Sequence, residues 1–288
     1  MDFQADMIQI AKNVLDYYEV GFDDLSEDRR IVERWANVLL KLIKPEARNV
    51  VKSKKVTILS DPGKSIFISL LEEKFRKGED VNPHLSKTIF REDYPDYLFA
   101  DWGIYHLHLS SVVEGKYFMK RSDCLLFAMI HQREVYFIDA RPHNEQWVFA
   151  QKGLLQIVHD EWPHILERFK LRGIVSLEHE IDDPDKITKM RKLGVNVLHR
   201  IGNDFYAPVG GGITTAGTPL RVGIEVDKLY RMVRNAMDYF QKNQIDIAAK
   251  IADAIGTSPP KLDFHLELTE NGFFILERNS NCGFPIHQ

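Results

Sequence analysis

Hydrophobic residues in the first third of the chain recur every three or four positions, which is the spacing of an amphipathic helix. Residues 3–19 show this pattern, and it returns after Ser26. Ser26 is followed directly by two acidic residues, a combination typical of a helix N-terminus. The second helix should end before Pro45, because proline disrupts a helix interior. Residues 1–50 are therefore predicted to form a helical N-terminal region.

Strand-like runs dominate the next part of the sequence. A short apolar run at residues 55–59 predicts a strand, and residues 64–77 return to helical spacing. Three further strand-like runs follow one another closely, at residues 104–110, 123–131 and 134–141. In this order the three runs are typical of a three-stranded meander, so they should form a small antiparallel sheet.

The sheet is expected to belong to a central α+β domain that spans residues 51–209. A helix is predicted at residues 147–169, where Pro163 should kink or divide it. A second, shorter helix is predicted at residues 186–193. Residues 195–209 then have the pattern of a hairpin.

The C-terminal third, residues 210–288, is predicted to contain a long helix and a β-hairpin. The helix at 225–253 has a broad apolar stripe, and the hairpin at 262–278 has an Asn-Gly turn at 271–272. Such a unit is too small to be stable alone, so it should dock on the rest of the chain or on a second copy. The glycine-rich stretch at 210–217 is either an ordered loop or a linker, and we expect a domain boundary near it.

Composition narrows the class of protein. The 288 residues are 44% hydrophobic and carry a formal net charge of −4, which allows a buried core and argues against a strongly basic nucleic-acid coat. Cys124 and Cys282 are far apart and form no disulfide framework or metal-binding spacing. No apolar run approaches the roughly 18 residues of a membrane span, and the acidic N-terminus does not resemble a signal peptide. We therefore expect a cytoplasmic protein without a cofactor.

Two histidines stand two residues apart on a predicted strand. His106 and His108 should point to the same face of the sheet, which is expected to be the less buried face or to line a cleft, while Tyr105 and its alternate neighbours supply an apolar face. Three interpretations stay open: hydrogen-bonded structural histidines, acid–base catalysts, or metal ligands. A metal site would need Asp101, Asp139 or His143 to complete it. Since no third ligand is clear, we expect no tightly bound ion.

Basic residues precede the third strand of the predicted sheet. Lys116, Lys120 and Arg121 lie in or at the end of the loop before it. An arginine there can hold a phosphate with its fork of donors. The structural alternative is a solvated charge that flanks an apolar strand.

Alternating polar residues close the last central strand. Asp139, Arg141 and His143 should share one face, and Asp139 stands within an apolar run where a carboxylate needs a partner. The structural alternative is an Asp139–Arg141 pair that closes the sheet. His143 follows a proline in a loop, and loops often carry functional residues.

Residues 61–65 resemble half of a phosphate-binding P-loop. The complete motif needs glycine at position 58, where this chain has Ile58. We therefore interpret this element as a Pro-Gly turn that begins a helix, and not as a nucleotide site.

The order of elements from Lys55 to Asn144 resembles the RelE/HigB-like toxins of the barnase–RelE nuclease superfamily. The segments that carry the resemblance are His106-Leu-His108, Lys120-Arg121 and Arg141-Pro-His143, which fall where those toxins place strand and loop residues of their site. Where many members have Arg or Lys on the first strand, this chain has histidines. The resemblance implies a small antiparallel sheet with helices and RNA cleavage without metal.

This resemblance implies a role for each candidate residue. A base would take the proton of the RNA 2′-hydroxyl, the 2′-oxygen would attack phosphorus, and an acid would protonate the leaving 5′-oxygen. His106 or His108 would be the base, His143 the acid, and Arg121 the clamp on the developing charge. Substrate-binding roles would fall to the remaining polar residues of the region, Lys116, Lys120, Asp139 and Arg141.

Two hypotheses about function follow from the sequence. The first is a toxin- or defence-like ribonuclease that acts on RNA without metal. The alternative is a non-catalytic binding or interaction protein built on the same core, with the C-terminal helix and hairpin forming the surface for a protein partner or a second copy.

Overall fold

The computed structural model describes residues 1–22, 26–57, 61–86, 96–114, 117–174, 176–177, 180–257, 261–269 and 272–286. It contains two compact units. One consists of Met1–Leu39 with Val222–Gln288, and the other of Leu40–Arg221. The limits between the two units fall at 39/40 and 221/222, so the N-terminal and C-terminal segments belong to one unit.

Helices and strands are both abundant, which confirms the predicted α+β class. The described part of the chain contains the helices α1 (Phe3–Tyr17), α2 (Asp28–Lys41), α3 (Lys54–Thr57), α4 (Pro62–Lys77), α5 (Tyr97–Trp102), α6 (Gly153–Glu161), α7 (Pro163–Leu166), α8 (Pro184–Lys192), α9 (Leu220–Lys242) and α10 (Gln244–Ile255). Its strands are β1 (Asn49–Lys52), β2 (Tyr105–His108), β3 (Cys124–Ile130), β4 (Glu134–Pro142), β5 (His199–Ile201), β6 (Asp204–Tyr206), β7 (Phe264–Thr269), β8 (Gly272–Glu277) and β9 (Cys282–Pro285). None of the described helices is long and apolar enough to cross a membrane.

The unit formed by both ends of the chain joins helices to a three-stranded sheet. Phe3 of α1 meets Phe240 of α9 edge to face, with ring centroids 5.8 Å apart. Asp6 of α1 accepts a hydrogen bond from the backbone of Leu266 in β7. The predicted C-terminal hairpin is confirmed as β7 and β8, and β9 adds an unpredicted antiparallel strand. The turn residue Asn271 lies outside the described residues.

A four-stranded sheet forms the centre of the second unit. Its strand order is β1-β4-β3-β2, and β2, β3 and β4 make the predicted antiparallel meander. The sheet is mixed because β1 pairs in parallel with β4, Asn49 opposite Glu134. A β-bulge interrupts the β3–β4 pairing between Phe127 and Ala128.

The strand predicted at residues 55–59 is wrong. The strand β1 lies earlier in the chain, and α3 covers most of the predicted segment. The cause is local, because the Ser53 side chain accepts a hydrogen bond from Val56 N and its carbonyl accepts one from Thr57 N. A serine that caps the first turn favours a helix over the β preference of the apolar run that follows. Residues 58 and 59 lie outside the described part.

Helices α4, α6 and α7 of this unit follow sequence signals, whereas α5 was not predicted. Asp61 caps α4 by accepting a hydrogen bond from Lys64 N, and Pro62 stands in its first turn. This is a turn and helix start, as interpreted from the sequence. Pro163 begins α7 directly after α6, so the predicted division of that helix is confirmed.

The glycine-rich stretch is an ordered loop that packs on the end of α5. Gly210 N donates to Asp101 O at 2.8 Å, and Gly212 N donates to Ala100 O at 2.9 Å. A Cβ atom at Gly210 would lie 2.1 Å from Phe99 O, so only glycine permits this approach. Of the two alternatives left by the sequence, the ordered loop is the one observed.

Candidate functional site

The three candidate histidines converge at one end of the central sheet. Strand β2 holds His106 opposite Phe127 and His108 opposite Leu125, so both imidazoles lie on the same face as expected. His143 follows β4 and stacks on His108, with ring centroids 5.9 Å apart and an interplanar angle of 17°. The His106 and His108 centroids are 6.5 Å apart.

The three rings differ strongly in their access to solvent. His108 is 1% exposed and the His106 side chain 12% exposed, while His143 is exposed. Phe149 packs against both His106 and His143, with centroid distances of 5.1 and 6.0 Å. The less buried face or cleft expected for the His106–His108 pair is therefore largely covered, because the segment after β4 folds back over it.

Hydrogen bonds define the tautomer of His108. Its Nδ1 accepts from the backbone N–H of Ser122 at 3.2 Å, so in the neutral ring the hydrogen is on Nε2. That Nε2 is buried without a hydrogen-bond partner in the described residues. His84 lies beside it and donates Nδ1–H to His108 O at 3.0 Å, which leaves the buried Nε2 of His84 equally unpartnered.

Burial keeps the two strand histidines neutral near pH 7. It lowers the pKa of His108 to about 4, and the neighbouring His106, His143 and Arg121 lower it in the same direction. Burial also lowers the pKa of His106, while Asp96 partly opposes the shift. Each neutral imidazole has one ring nitrogen without hydrogen, and only that nitrogen can accept a proton.

Asp96 belongs to this cluster but was missed in the sequence. It caps α5, where its Oδ1 accepts from Phe99 N at 3.1 Å. Its Oδ2 lies 3.6 Å from His106 Nδ1. The cap itself has a sequence signal, an aspartate directly before an apolar run. Nothing local in the sequence relates it to His106.

The basic candidates have different positions. Arg121 is exposed, close enough to His108 to influence its pKa, and has no hydrogen bond or ion pair with the described residues. Lys120 is exposed, and its backbone N donates to Val112 O. Lys116 lies outside the described residues. Of the two described basic candidates, Arg121 is thus the one for which the structure shows an influence on a histidine.

Asp139 and Arg141 have the geometry of the structural alternative. Arg141 Nε donates to Asp139 Oδ2 at 2.8 Å, and its Nη1 contacts both Gln151 and Glu145. The other oxygen of Asp139 accepts from Ala140 N. Both side chains are about nine-tenths buried, so this pair closes the sheet with its charges already engaged.

A second buried polar cluster had no sequence signal. Asp101, Arg191 and His199 are each at most 3% exposed. Arg191 Nε donates to Asp101 Oδ2 at 2.9 Å, and its guanidinium lies 4.4 Å above the Trp102 ring. His199 Nε2 lies 3.0 Å from both Asp101 Oδ1 and Trp102 Nε1, so one nitrogen faces an acceptor and a donor. Burial opposes ionisation of Asp101, but His199 and Arg191 outweigh it and hold its pKa below the usual value.

Within the described ranges, the side chains that could coordinate a metal ion are not grouped to do so. No group of three or more His, Cys, Asp or Glu side chains there has suitable geometry. In particular, Asp101 faces Arg191 and Asp139 faces Arg141, so neither completes a shell with His106 and His108.

Comparison of the chain with protein-family models, with curated proteins and with solved structures found no match. The resemblance to RelE/HigB-like toxins therefore stays a prediction. The functional argument depends on the geometry around the three histidines.

Proposed function

We propose that the protein is a metal-independent ribonuclease whose active site is formed by His106, His143 and Arg121. One observation carries the proposal. Three histidine rings converge at the end of a sheet, beside an exposed arginine with no partner in the described residues. Imidazoles and a guanidinium supply the proton transfers and charge stabilisation that RNA transesterification requires.

The burial and hydrogen bonds favour particular roles for the histidines. His143 is exposed and suits the acid that protonates the leaving 5′-oxygen. His106 is the better candidate for the base. The nitrogen of His108 that carries no hydrogen already accepts a hydrogen bond from Ser122 N–H. His108 stacks behind His143 and acts as a positioning residue for it.

Arg121 supplies local positive charge in a chain with a net charge of −4. Its exposed guanidinium can donate two parallel hydrogen bonds to a phosphate, and neighbouring Lys120 adds to the field. The positive charge of Arg121 and Lys120, beside the neutral imidazoles of His106 and His108, favours a phosphodiester as the group that binds here.

The test is cleavage of single-stranded RNA by the purified protein in EDTA. We expect His106→Ala and His143→Ala each to lower the rate at least about 100-fold, the size of a typical acid–base contribution. Arg121→Ala should lower it about 100-fold as well, because it removes a donor that stabilises the developing charge. His164→Ala is the matched control, because exposed His164 lies beside Tyr136 at the other end of β4 from His143. Absence of cleavage over a broad RNA panel, or unchanged rates in the three variants, would contradict the proposal.

A second candidate function is non-catalytic binding, and the burial of the strand histidines favours it. His108 is 1% exposed, and Phe149 covers the face that His106 shares with it. The exposed apolar residues Ile224, Tyr239 and Ile245 of α9 and α10 would then contribute to a partner surface. Binding measured by fluorescence anisotropy separates the two functions: RNA bound through Arg121 but recovered intact favours the binding protein.

A further inference from the structure

Two buried polar atoms beside the proposed site face each other without a hydrogen bond. They are Oδ2 of Asp96 and Nδ1 of His106, which lie 3.6 Å apart. Neither atom has a hydrogen-bond partner among the residues that the structure describes. Asp96 is 8% exposed, so water cannot freely replace the missing partner.

The two atoms are chemically complementary. A carboxylate oxygen only accepts, whereas Nδ1 of an imidazole donates when it carries the hydrogen. Buried polar groups are nearly always hydrogen-bonded, and catalytic hydrogen bonds are often long in a protein without substrate. A movement of less than about 1 Å would bring the pair to a normal donor–acceptor distance.

We propose that Asp96 is a positioning residue that holds His106 with its hydrogen on Nδ1 and leaves Nε2 free to accept a proton. The proposal rests on the proposed function, since it explains how His106 acts as the base. The hydrogen bond of one ring nitrogen determines which nitrogen carries the proton. A carboxylate at Nδ1 would also stabilise the imidazolium that forms after proton transfer.

Both partners are held by regular secondary structure. The second oxygen of Asp96 is fixed by Phe99 N at 3.1 Å, as the cap of α5. His106 is fixed by its pairing with Phe127 in β3 and by the ring of Phe149. The carboxylate is therefore oriented by the backbone, and its free oxygen points to the imidazole.

The other charges around His106 do not replace Asp96. Lys41 of α2 and His143 both disfavour its protonated form, while Asp96 favours it. Burial lowers its pKa most, so the ring is neutral near pH 7 and has a single N–H. Among the described charged groups that act on His106, Asp96 is the one that can accept a hydrogen bond from that N–H.

The tautomer can be measured without reference to activity. Histidine-selective ¹⁵N labelling with long-range ¹H–¹⁵N correlation distinguishes an N–H nitrogen from a bare one, and loss of the signal in His106→Gln gives the assignment. We expect Nδ1 of His106 to be the protonated nitrogen at pH 7.5. In Asp96→Asn the amide oxygen must still accept from Phe99 N, so the NH₂ group faces His106 and the hydrogen should move to Nε2.

Asp183→Asn is the matched control. Asp183 caps α8 by accepting a hydrogen bond from Asp185 N, so it has the same capping role. Its substitution should leave the His106 signals unchanged. If the wild-type protein cleaves RNA, Asp96→Asn should lower kcat about 100-fold with little change in KM, and Asp183→Asn should not.

The outcomes separate this inference from the proposed function. A wild-type protein with hydrogen on Nδ1 that cleaves no RNA would contradict the ribonuclease while supporting the Asp96–His106 contact. Hydrogen on Nε2 in the wild type would overturn the inference whatever the activity, and that measurement needs no folded variant of Asp96. Full cleavage activity in folded Asp96→Asn would overturn the positioning role.

Discussion

The short helix α5 has an aspartate at each end, and the two carboxylates have opposite surroundings. Both oxygens of Asp101 lie within 3.0 Å of a nitrogen, from Arg191 on one side and His199 on the other. Among the residues that the structure describes, Phe99 is hydrogen-bonded to one oxygen of Asp96, and the other oxygen faces His106 at 3.6 Å without a hydrogen bond. Both side chains are nearly buried, so the difference lies in their partners and not in their access to water.

This difference separates a structural group from a candidate functional one. Arg191 also donates to Phe149 O at 2.6 Å, so the Asp101 network ties α5 and α8 to the segment that covers the histidines. A paired buried charge fixes one arrangement of the chain. An unpaired buried oxygen costs stability, and such costs concentrate at functional sites. We therefore interpret Asp101 as a group that holds the candidate site in place, and Asp96 as a candidate member of that site.

The largest expected effect comes from removing the charge of Asp101, the carboxylate whose two oxygens are both paired. Asp101→Asn removes the negative charge and leaves Arg191 buried at 2% exposure beside a neutral amide. Loss of one partner of a buried ion pair costs about 3–5 kcal/mol. We expect the free energy of unfolding from urea titration to fall by this amount.

Two further variants sharpen the result for Asp101. Glu167→Gln is the control, because its partner Arg172 is 85% exposed and such pairs contribute little. Adding Arg191→Met to Asp101→Asn removes the orphaned charge and should recover part of the lost stability. A fall below about 1 kcal/mol for Asp101→Asn alone would show that the network does not hold the fold.

The buried histidines near the Asp96 end of α5 should make the free energy of unfolding depend on pH in the acid range. The pKa of His108 is about 4 in the folded protein and about 6.5 in an unfolded chain, so the unfolded state binds more protons between these values. The contribution to stability is complete above pH 6.5 and is lost as the pH falls towards 4. For a shift of this size the loss is roughly 3 kcal/mol, and the lowered pKa values of His84 and His106 act in the same direction.

Urea titrations at a series of pH values test this dependence. In His108→Asn the side-chain oxygen can still accept from Ser122 N, but the titrating group is gone. The decline of stability with acid should be shallower in this variant than in the wild type. Substitution of the exposed His164 by Asn should leave the slope unchanged, and a wild-type slope retained in His108→Asn would contradict the buried neutral state.

The sequence predicted the parts of the site that depend on local periodicity. The period of two along a strand places His106 and His108 on one face, and the strand order brings His143 to the same end of the sheet. The pattern does not show that Phe149 would cover this face, because the covering depends on how the segment after β4 folds back. Burial was therefore underestimated for His108.

The rest of the site depends on contacts between distant residues. Asp101 is separated from Arg191 by 90 positions and from His199 by 98, and no spacing rule relates residues so far apart. The strand wrongly predicted at 55–59 has a local cause instead. The hydrogen bond to the Ser53 side chain caps a helix, and this cap outweighs the β preference of the run after it. Hydrophobic periodicity predicts neither pairing between distant residues nor local capping hydrogen bonds.

The smallest expected effect is the one that tests the comparison most directly, the same substitution at the other end of α5. Asparagine caps a helix about as well as aspartate, so Asp96→Asn should keep the hydrogen bond from Phe99 N. Within the described residues no cation is paired with Asp96 as Arg191 is with Asp101, and the new amide can donate to Nδ1 of His106 in its other tautomer. We therefore expect Asp96→Asn to change the free energy of unfolding by no more than about 1 kcal/mol, in the urea titrations used for Asp101→Asn. Equal losses for the two variants would mean that the free oxygen of Asp96 has a structural partner after all, and the contrast between the two ends of the helix would disappear.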